Sequence, residues 1–284
     1  MLRKLSPALL IPVLILSACN FHITLPGVQR VGPVVTDDIN VPLPAPGTQS
    51  MDVTLDFGAG SLELNPGSAV LISGTAKYNV SDFKPVITVT ETTAHIRQGN
   101  WKLSGIPDIT NIKNEWDLAL GTFPIDLTID AGAYHAEYEL GGMALTSLSI
   151  QDGASNVKLN FASPNLAEMS LLNYDTGAST VSLTGLGNAN FASLEFNAGA
   201  GNYTLDFSGQ FKRNGSVHIV TGVSNLALVI PSGLPVQLTV EGGLANISHP
   251  ANWSVNAKVY TQAGSGPQLT IVVEIGAGNL IITQ

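Results

Sequence analysis

Hydrophobic and polar residues alternate over short segments along most of the chain. In the segment that follows the Gly-Ala pair at residues 153–154, for example, Val157, Leu159 and Phe161 fall on one side, and Lys158 and Asn160 fall on the other. Alternation with a period of two predicts a strand with one buried face. We find no segment with the 3.6-residue spacing of an amphipathic helix. The pattern therefore predicts an all-β protein built from many strands.

The Gly-Ala motif recurs at a nearly constant interval. From Gly132 onward, the central glycines of successive copies lie 21, 24, 22, 23 and 21 residues apart. A period near 22 residues without helical patterning predicts stacked β-coils, that is, a β-solenoid with coils about 4.8 Å apart. We expect it to be right-handed, as parallel β crossings generally are. We also expect a structural turn with positive φ at each glycine, because glycine adopts this conformation without steric cost. These turn glycines are Gly58, Gly132, Gly153, Gly177, Gly199, Gly222 and Gly276.

Two polar positions repeat together with the glycines. Two residues before the glycine, acids alternate with amides, as in Asp130, Gln151, Asp175 and Asn197. This order separates carboxylates on neighbouring coils and favours a structural column over a calcium site. Three residues after the glycine, asparagine is frequent, and stacked asparagines can bond to one another. The predicted asparagine ladder comprises Asn156, Asn202, Asn225, Asn246 and Asn279.

The first 18 residues read as a secretory signal peptide. Arg3 and Lys4 precede an apolar run that is too short to span a bilayer. The run ends in Leu-Ser-Ala-Cys, which looks like the bacterial lipobox, with cleavage before Cys19 and lipid attachment to it. Cys19 is the only cysteine, so no disulfide can form within the chain. We therefore predict an extracytoplasmic protein of the bacterial cell envelope, anchored to the membrane by acyl chains such as palmitate.

The remaining chain divides into three predicted segments. Residues 19–50 contain five prolines and read as a lipidated tether. Residues 51–125 are less regular, and we predict an N-terminal β-subdomain or cap. Residues 126–284 carry the solenoid repeats. We expect the final strand, which begins at Leu269, to pair with the cap and cover an open end.

Charge and motif content exclude several functions. Twelve basic and 21 acidic side chains give a net charge of -9, and removal of the signal peptide makes it more negative. An acidic chain with few cations argues against nucleic acid binding and against electrostatic docking to anionic lipid. His135, Glu137 and Glu139 alternate and could share a strand face, but a solvated face explains them better than a metal site. We predict no catalytic residues, no metal and no cofactor.

Two classes of function remain open from the residues alone. The first is a non-catalytic envelope module that contacts another envelope protein and acts in adhesion or envelope stress. The second is a carbohydrate-binding or carbohydrate-active β-helix, which would need clustered acids and an aromatic side chain on one sheet face. The available tryptophans are Trp101, Trp116 and Trp253, and they lie outside the regular coils.

The order of the motifs resembles the bacterial toast-rack family over roughly residues 51–284. The similarity is carried by segments 57–64, 74–78, 116–120 and 123–127, and by the later Gly-Ala motifs up to residue 209. The family is similar to candidate adhesin domains and to the domain of cell-wall-active-antibiotic response proteins. The resemblance implies a β-solenoid of the envelope and no catalytic positions. The copies around Gly222 and Gly243 depart from the Gly-Ala form.

Overall fold

The computed structural model describes residues 31–99 and 111–284, and its strands form one mixed sheet of 15 strands. Short 3-10 helices lie at Ser81–Phe83 and Leu186–Asn188. The predicted all-β solenoid is confirmed. The strands are β1 (Val35–Val41), β2 (Met51–Pro66), β3 (Ile72–Tyr78), β4 (Val86–Val89), β5 (Thr93–Arg97), β6 (Asn114–Leu120), β7 (Ile125–Glu139), β8 (Leu145–Asn160), β9 (Met169–Thr184), β10 (Phe191–Asp206), β11 (Gly215–Val229), β12 (Val236–Ser248), β13 (Ser254–Asn256), β14 (Val259–Gln262) and β15 (Leu269–Thr283).

Eight long strands form the body of the molecule. They stack in parallel in the order β2, β7, β8, β9, β10, β11, β15, β12. Parallel neighbours require a long return connection between them. From β7 to β11 the loop after each strand provides it, whereas β3 to β6 lie between β2 and β7, and β13 and β14 lie between β12 and β15. Each coil therefore adds one long strand to the stack.

Each long strand changes its buried face at the Gly-Ala motif. In β8, Leu148 and Ile150 are buried before Gly153, whereas Val157 and Leu159 are buried after it. The alternation thus shifts phase at the glycine, so that both halves of the strand direct apolar side chains into one core. We call the residues before the glycine the first arm and those after it the second arm. Each arm also has an outward polar face.

The final strand departs from the sequence prediction. β15 does not pair with the N-terminal region; it lies between β11 and β12, parallel to both. Its Ile271 aligns with Val217 of β11 and Leu238 of β12, so the apolar column of the core continues through it. After β12 the chain reverses through β13 and β14, which pair antiparallel beyond β12. The expectation that the last strand covers the N-terminal cap was wrong, because its alternation fits the inner column equally well at this end.

At the N-terminal end the two arms of β2 have different neighbours. The first arm pairs with β5, which pairs with β4, and the second arm leads through β6 and β3 to β1. β1 lies within the segment predicted to be a tether. Its Ile39 and Val41 are buried against the core, so this part of the segment belongs to the folded domain. Residues 19–30 of that segment lie outside the described residues. β2 itself pairs with β7 along nearly its whole length, and the domain boundary predicted at residue 125 stays a prediction.

Candidate functional site

The seven predicted turn glycines lie where each long strand passes from its first arm to its second arm, a point that we call the bend. The predicted reason for these glycines was wrong. None of them has a positive φ; glycines such as Gly60 and Gly278 do. The motif also lies inside continuous strands and not in turns between them, as in β8 and β9. A different constraint therefore explains the glycines.

That constraint is the close approach of neighbouring coils. A Cβ atom on Gly132, Gly177 or Gly199 would lie 2.4, 2.4 or 2.5 Å from the carbonyl oxygen of the glycine in the adjacent coil. At Gly153 the corresponding distance is 3.1 Å, and at Gly58 the nearest atoms belong to the side chain of Gln98. The glycines allow the backbones to stack at the bend, which a side chain would obstruct.

Four of the five predicted ladder asparagines form a chain of hydrogen bonds. The Nδ2 of Asn225 donates to Oδ1 of Asn202 at 2.9 Å, and Nδ2 of Asn279 donates to Oδ1 of Asn225 at 2.6 Å. Nδ2 of Asn246 donates to Oδ1 of Asn279 at 3.3 Å. Asn156 lies farther along the column, in register with His135 and Thr180. The ladder is exposed and uses both amide functions of its inner members.

The first-arm outer face carries the predicted column of acids and amides. Nδ2 of Asn197 donates to Oδ1 of Asp175 at 2.8 Å, so an amide separates the acids there. At the N-terminal end, Asp56 and Asp130 are direct neighbours in register. Nε2 of His95 lies 2.6 Å from Oδ2 of Asp56. Partial burial, followed by the charge of Asp56, raises the pKa of Asp130. Asp56 and Asp130 border an open depression of about 590 Å³.

The second-arm outer face contains the residues considered for a weak metal site. Nζ of Lys158 donates to Oε1 of Glu137 at 2.9 Å, and this contact lowers the pKa of Glu137. Nε2 of His135 lies 3.9 Å from the same carboxylate. Glu139 accepts from Nδ2 of Asn160 at 2.6 Å and from a backbone amide at 2.7 Å. Protein donors therefore already occupy these carboxylates. Within residues 31–99 and 111–284, no group of three or more His, Cys, Asp or Glu could hold a metal ion.

A polar cluster that the sequence reading missed lies under the bend. Asp152 is 8% exposed and points inward from β8. Its carboxylate accepts from the hydroxyl of Tyr174 at 2.8 Å, from that of Tyr134 at 3.3 Å, and from the hydroxyl of Thr176. Burial raises the pKa of Tyr174 well above its usual value, so the phenol remains a donor. The carboxylate joins three consecutive coils from the inside.

A signal for this cluster is present in the aligned repeats. The position immediately before the glycine faces inward, and it holds Phe57, Ala131, Ala198 and Ile275 in other coils. Thr176 and Thr221 occupy it in two further coils, and Asp152 is the only charged residue at this position. A polar residue at an inward position of a repeat requires partners, because an unpaired buried polar group is costly.

A histidine on the first-arm face joins three strands. Nδ1 of His218 lies 3.3 Å from Oε2 of Glu195 on β10, and Nε2 lies 3.0 Å from Oε1 of Glu274 on β15. A neutral imidazole has one donor and one acceptor, whereas both nitrogens here face carboxylate oxygens. The hydrogen bond with Glu274 is the main cause that raises the pKa of His218. Glu241 of β12 aligns with Glu274, so the imidazolium also offsets repulsion between two acids.

The remaining predicted residues fall into two groups. Cys19 and Trp101 lie outside the described residues. Trp116 and Trp253 are buried in the core and present no ring on an outer face. In the described part of the chain, no helix has the length and apolar character required to cross a membrane.

Comparison with known families settles the relationship that the motifs suggested. The model of the N-terminal domain of toast_rack, DUF2154, matches residues 30–171, which is half of the chain. The chain belongs to the toast-rack family. The resemblance proposed from the Gly-Ala motifs is thereby confirmed. No curated protein matches the toast-rack chain.

Several solved structures align with this toast-rack chain over most of its length. A candidate cell adhesion protein from Clostridium sporogenes is 20% identical, with a TM-score of 0.50 over 89% of this chain and 100% of that chain. A candidate adhesin from Bacteroides fragilis is 12% identical, with a TM-score of 0.34 over 90% and 100%. A candidate lipid binding protein from Parabacteroides distasonis is 11% identical, with a TM-score of 0.38 over 88% and 97%. At 20% identity the first likeness shows a shared fold.

Proposed function

We propose that the chain is a non-catalytic, lipid-anchored protein of the bacterial cell envelope that binds other macromolecules through the outer faces of its solenoid. In this proposal residues 1–18 are removed and Cys19 carries the acyl chains. Several acyl chains on one residue would anchor the protein firmly, since each buried CH2 contributes about 0.8 kcal/mol.

The extent of the outer faces carries the binding part of the proposal. Eight stacked long strands give each arm a face about 34 Å long at a spacing of about 4.8 Å. The second-arm face is lined by short polar side chains, as in β9, where Thr180, Ser182 and Thr184 point outward. Such a wide, polar and rigid surface suits contact with a macromolecule better than enclosure of a small substrate.

The similarity to a candidate cell adhesion protein supports an adhesin-like role within this proposal. The family description and the names of the structural neighbours are not those of enzymes. A role in envelope stress is a narrower form of the same proposal, in which the bound macromolecule is another envelope protein.

The carbohydrate alternative has less support. The second-arm groove does bring Glu63, Glu137 and Glu139 together in a depression of about 290 Å³. Sugar-binding faces commonly add an exposed aromatic ring, however, and the nearest ring, that of Tyr138, is buried and hydrogen-bonded to Tyr134. Glu137 is also held by Lys158.

The anchor is tested by metabolic labelling with an alkyne fatty acid, followed by membrane fractionation. We expect the wild-type chain to carry the label and sediment with membranes, and Cys19→Ser to lose both properties. A labelled or fully membrane-bound Cys19→Ser variant would contradict the anchor.

The binding faces are tested by photo-crosslinking in living cells. A photoreactive amino acid replaces Thr128 on the first-arm face or Ser182 on the second-arm face, and Leu166 in the exposed loop before β9 as a matched control. We expect discrete adducts from at least one face and none from Leu166. If neither face yields an adduct, the solenoid faces are not the binding surface.

A further inference from the structure

Exposed apolar side chains concentrate at the N-terminal end of the solenoid. Eleven large hydrophobic residues of the described chain are exposed, and five of them lie on or beside β1 and β4. Every residue of β4 is exposed, which is unusual for a strand of Val-Ile-Thr-Val. We call these five residues the N-terminal rim: Val34, Val35, Val86, Ile87 and Val89.

The rim belongs to one end of the molecule. β1 is the last strand beyond the second arm of β2, and β4 is the last strand beyond its first arm. Nζ of Lys84, two residues before β4, lies 4.0 Å from Oδ2 of Asp37 on β1. A small core of Tyr78, Val80 and Phe83 lies beneath, and Val31 packs against it. The chain therefore enters the fold at the rim itself.

The position of the proposed anchor places this end nearest the bilayer. Val31 lies twelve positions after Cys19, and this stretch of chain can span at most about 42 Å. The far end of the stack, at β13, lies roughly 50–60 Å from the rim at about 4.8 Å per strand. The proposed tether thus keeps the rim within about 42 Å of lipid, whereas the far end can lie farther away.

We propose that the N-terminal rim contacts the bilayer surface, so that the solenoid stands with its axis away from the membrane. This inference rests on the proposed lipid anchor at Cys19. The acids Asp37, Asp38 and Glu91 outnumber the cations Lys84 and Arg97 beside β1 and β4, so attraction to anionic lipid does not drive the contact. The valine and isoleucine side chains of the rim drive the contact instead. The contact stays at the depth of the lipid headgroups, because the outer edges of β1 and β4 need water or headgroups as hydrogen-bond partners.

Two matched probes on the full-length chain test the orientation. Ile87→Cys places a thiol on β4 at the rim, and Val255→Cys places one on β13 at the far end, where the original side chains are 37% and 45% exposed. Each protein is purified in mild detergent, labelled with an environment-sensitive fluorophore, and reconstituted into phosphatidylcholine vesicles that contain a headgroup-labelled nitroxide lipid. The wild-type chain serves as the labelling control, because an acylated Cys19 has no free thiol.

We expect nitroxide lipid to quench the probe of the Ile87→Cys protein and to leave that of the Val255→Cys protein unaffected, without any need for anionic lipid. Two unquenched probes on vesicle-bound protein would overturn the rim contact while leaving the anchor intact. Two equally quenched probes would show that the domain lies on its side, which also overturns it. A wild-type chain that labels at Cys19 and fails to bind vesicles would refute the proposed anchor, and the rim contact with it.

Discussion

A single methyl group added to the glycine column tests why the coils carry glycine at the bend. Gly177→Ala would place a Cβ atom 2.4 Å from the carbonyl oxygen of Gly153, whereas ordinary contacts begin at 3.4 Å. The two coils would have to separate by about 1 Å at this point. The obstructing atom belongs to the backbone of a paired strand, so it cannot rotate away.

The expected cost follows from two opposing effects. Overpacking costs about 1–3 kcal/mol, and the rigid backbone places this case at the upper end. Alanine reduces the entropy of the unfolded chain and recovers about 0.4–1 kcal/mol where its φ is acceptable, as it is here. We therefore expect Gly177→Ala to lower the free energy of unfolding by about 2 kcal/mol and the melting temperature by roughly 4–8 °C.

Other glycines of the same column supply the controls. At Gly222 the distance would be 2.9 Å and at Gly153 it would be 3.1 Å, so the neighbour must give way by progressively less. We expect the losses in urea and thermal unfolding to follow the order Gly177→Ala, Gly222→Ala, Gly153→Ala, with the last close to zero. Equal losses at all three positions would refute the close-contact explanation, as would a stable Gly177→Ala protein.

Three further changes test the polar contacts. Asp152→Ala leaves the buried hydroxyl of Tyr174 without its acceptor, and we expect it to cost at least about 2 kcal/mol in urea unfolding. The control is Asp126→Ala, which removes a partly exposed carboxylate of β7. A loss for Asp152→Ala no greater than that of the control would contradict the expected cost. Because the pKa of His218 is raised, the stabilisation from its contacts is fully present below the unfolded-state pKa of 6.5 and is lost as pH rises through the higher folded-state pKa. We therefore expect the melting temperature of the wild-type protein to fall with rising pH in this range, and His218→Gln to remove that fall. An unchanged fall in the variant would exclude a stabilising contact of His218 with Glu195 and Glu274. Asn225→Ala removes two exposed hydrogen bonds of the asparagine ladder, and we expect it to lower the free energy of unfolding by less than about 1 kcal/mol. A larger loss in the same urea assay would mean that the ladder is a main source of stability.

The stacked architecture could be predicted from the sequence because the repeat carries its information locally. Val157 and Leu159 alternate with polar residues, and the interval between Gly132 and Gly153 sets the coil length. These patterns fix which side chains face inward, and the buried positions of β8 follow them. Residues in contact across coils occupy equivalent positions in the repeat.

The sequence could not show which coils are neighbours. The apolar pattern of β15 fits the core beside β11, beside β12 or at either end, so periodicity does not distinguish these positions. Similarly, glycine is compatible both with positive φ and with close backbone approach. At Gly177 the two explanations are separated by the backbone conformation and by the distance to Gly153, which the sequence does not give. The contacts of His218 depend on this order of strands, because Glu274 reaches it only from β15.

The insertion of β15 between β11 and β12 has a consequence for biosynthesis. β12 emerges from the ribosome before β15, yet it has no strand of the stack to pair with until β15 has docked on β11. The earlier coils can assemble one after another, whereas the last two must wait for the carboxyl terminus. A chain shortened before Leu269 would therefore expose the edge of β11 together with an unattached β12, and it would present an open template for aggregation. β15 thus supplies the pairing partner that both β11 and β12 need to join one stack.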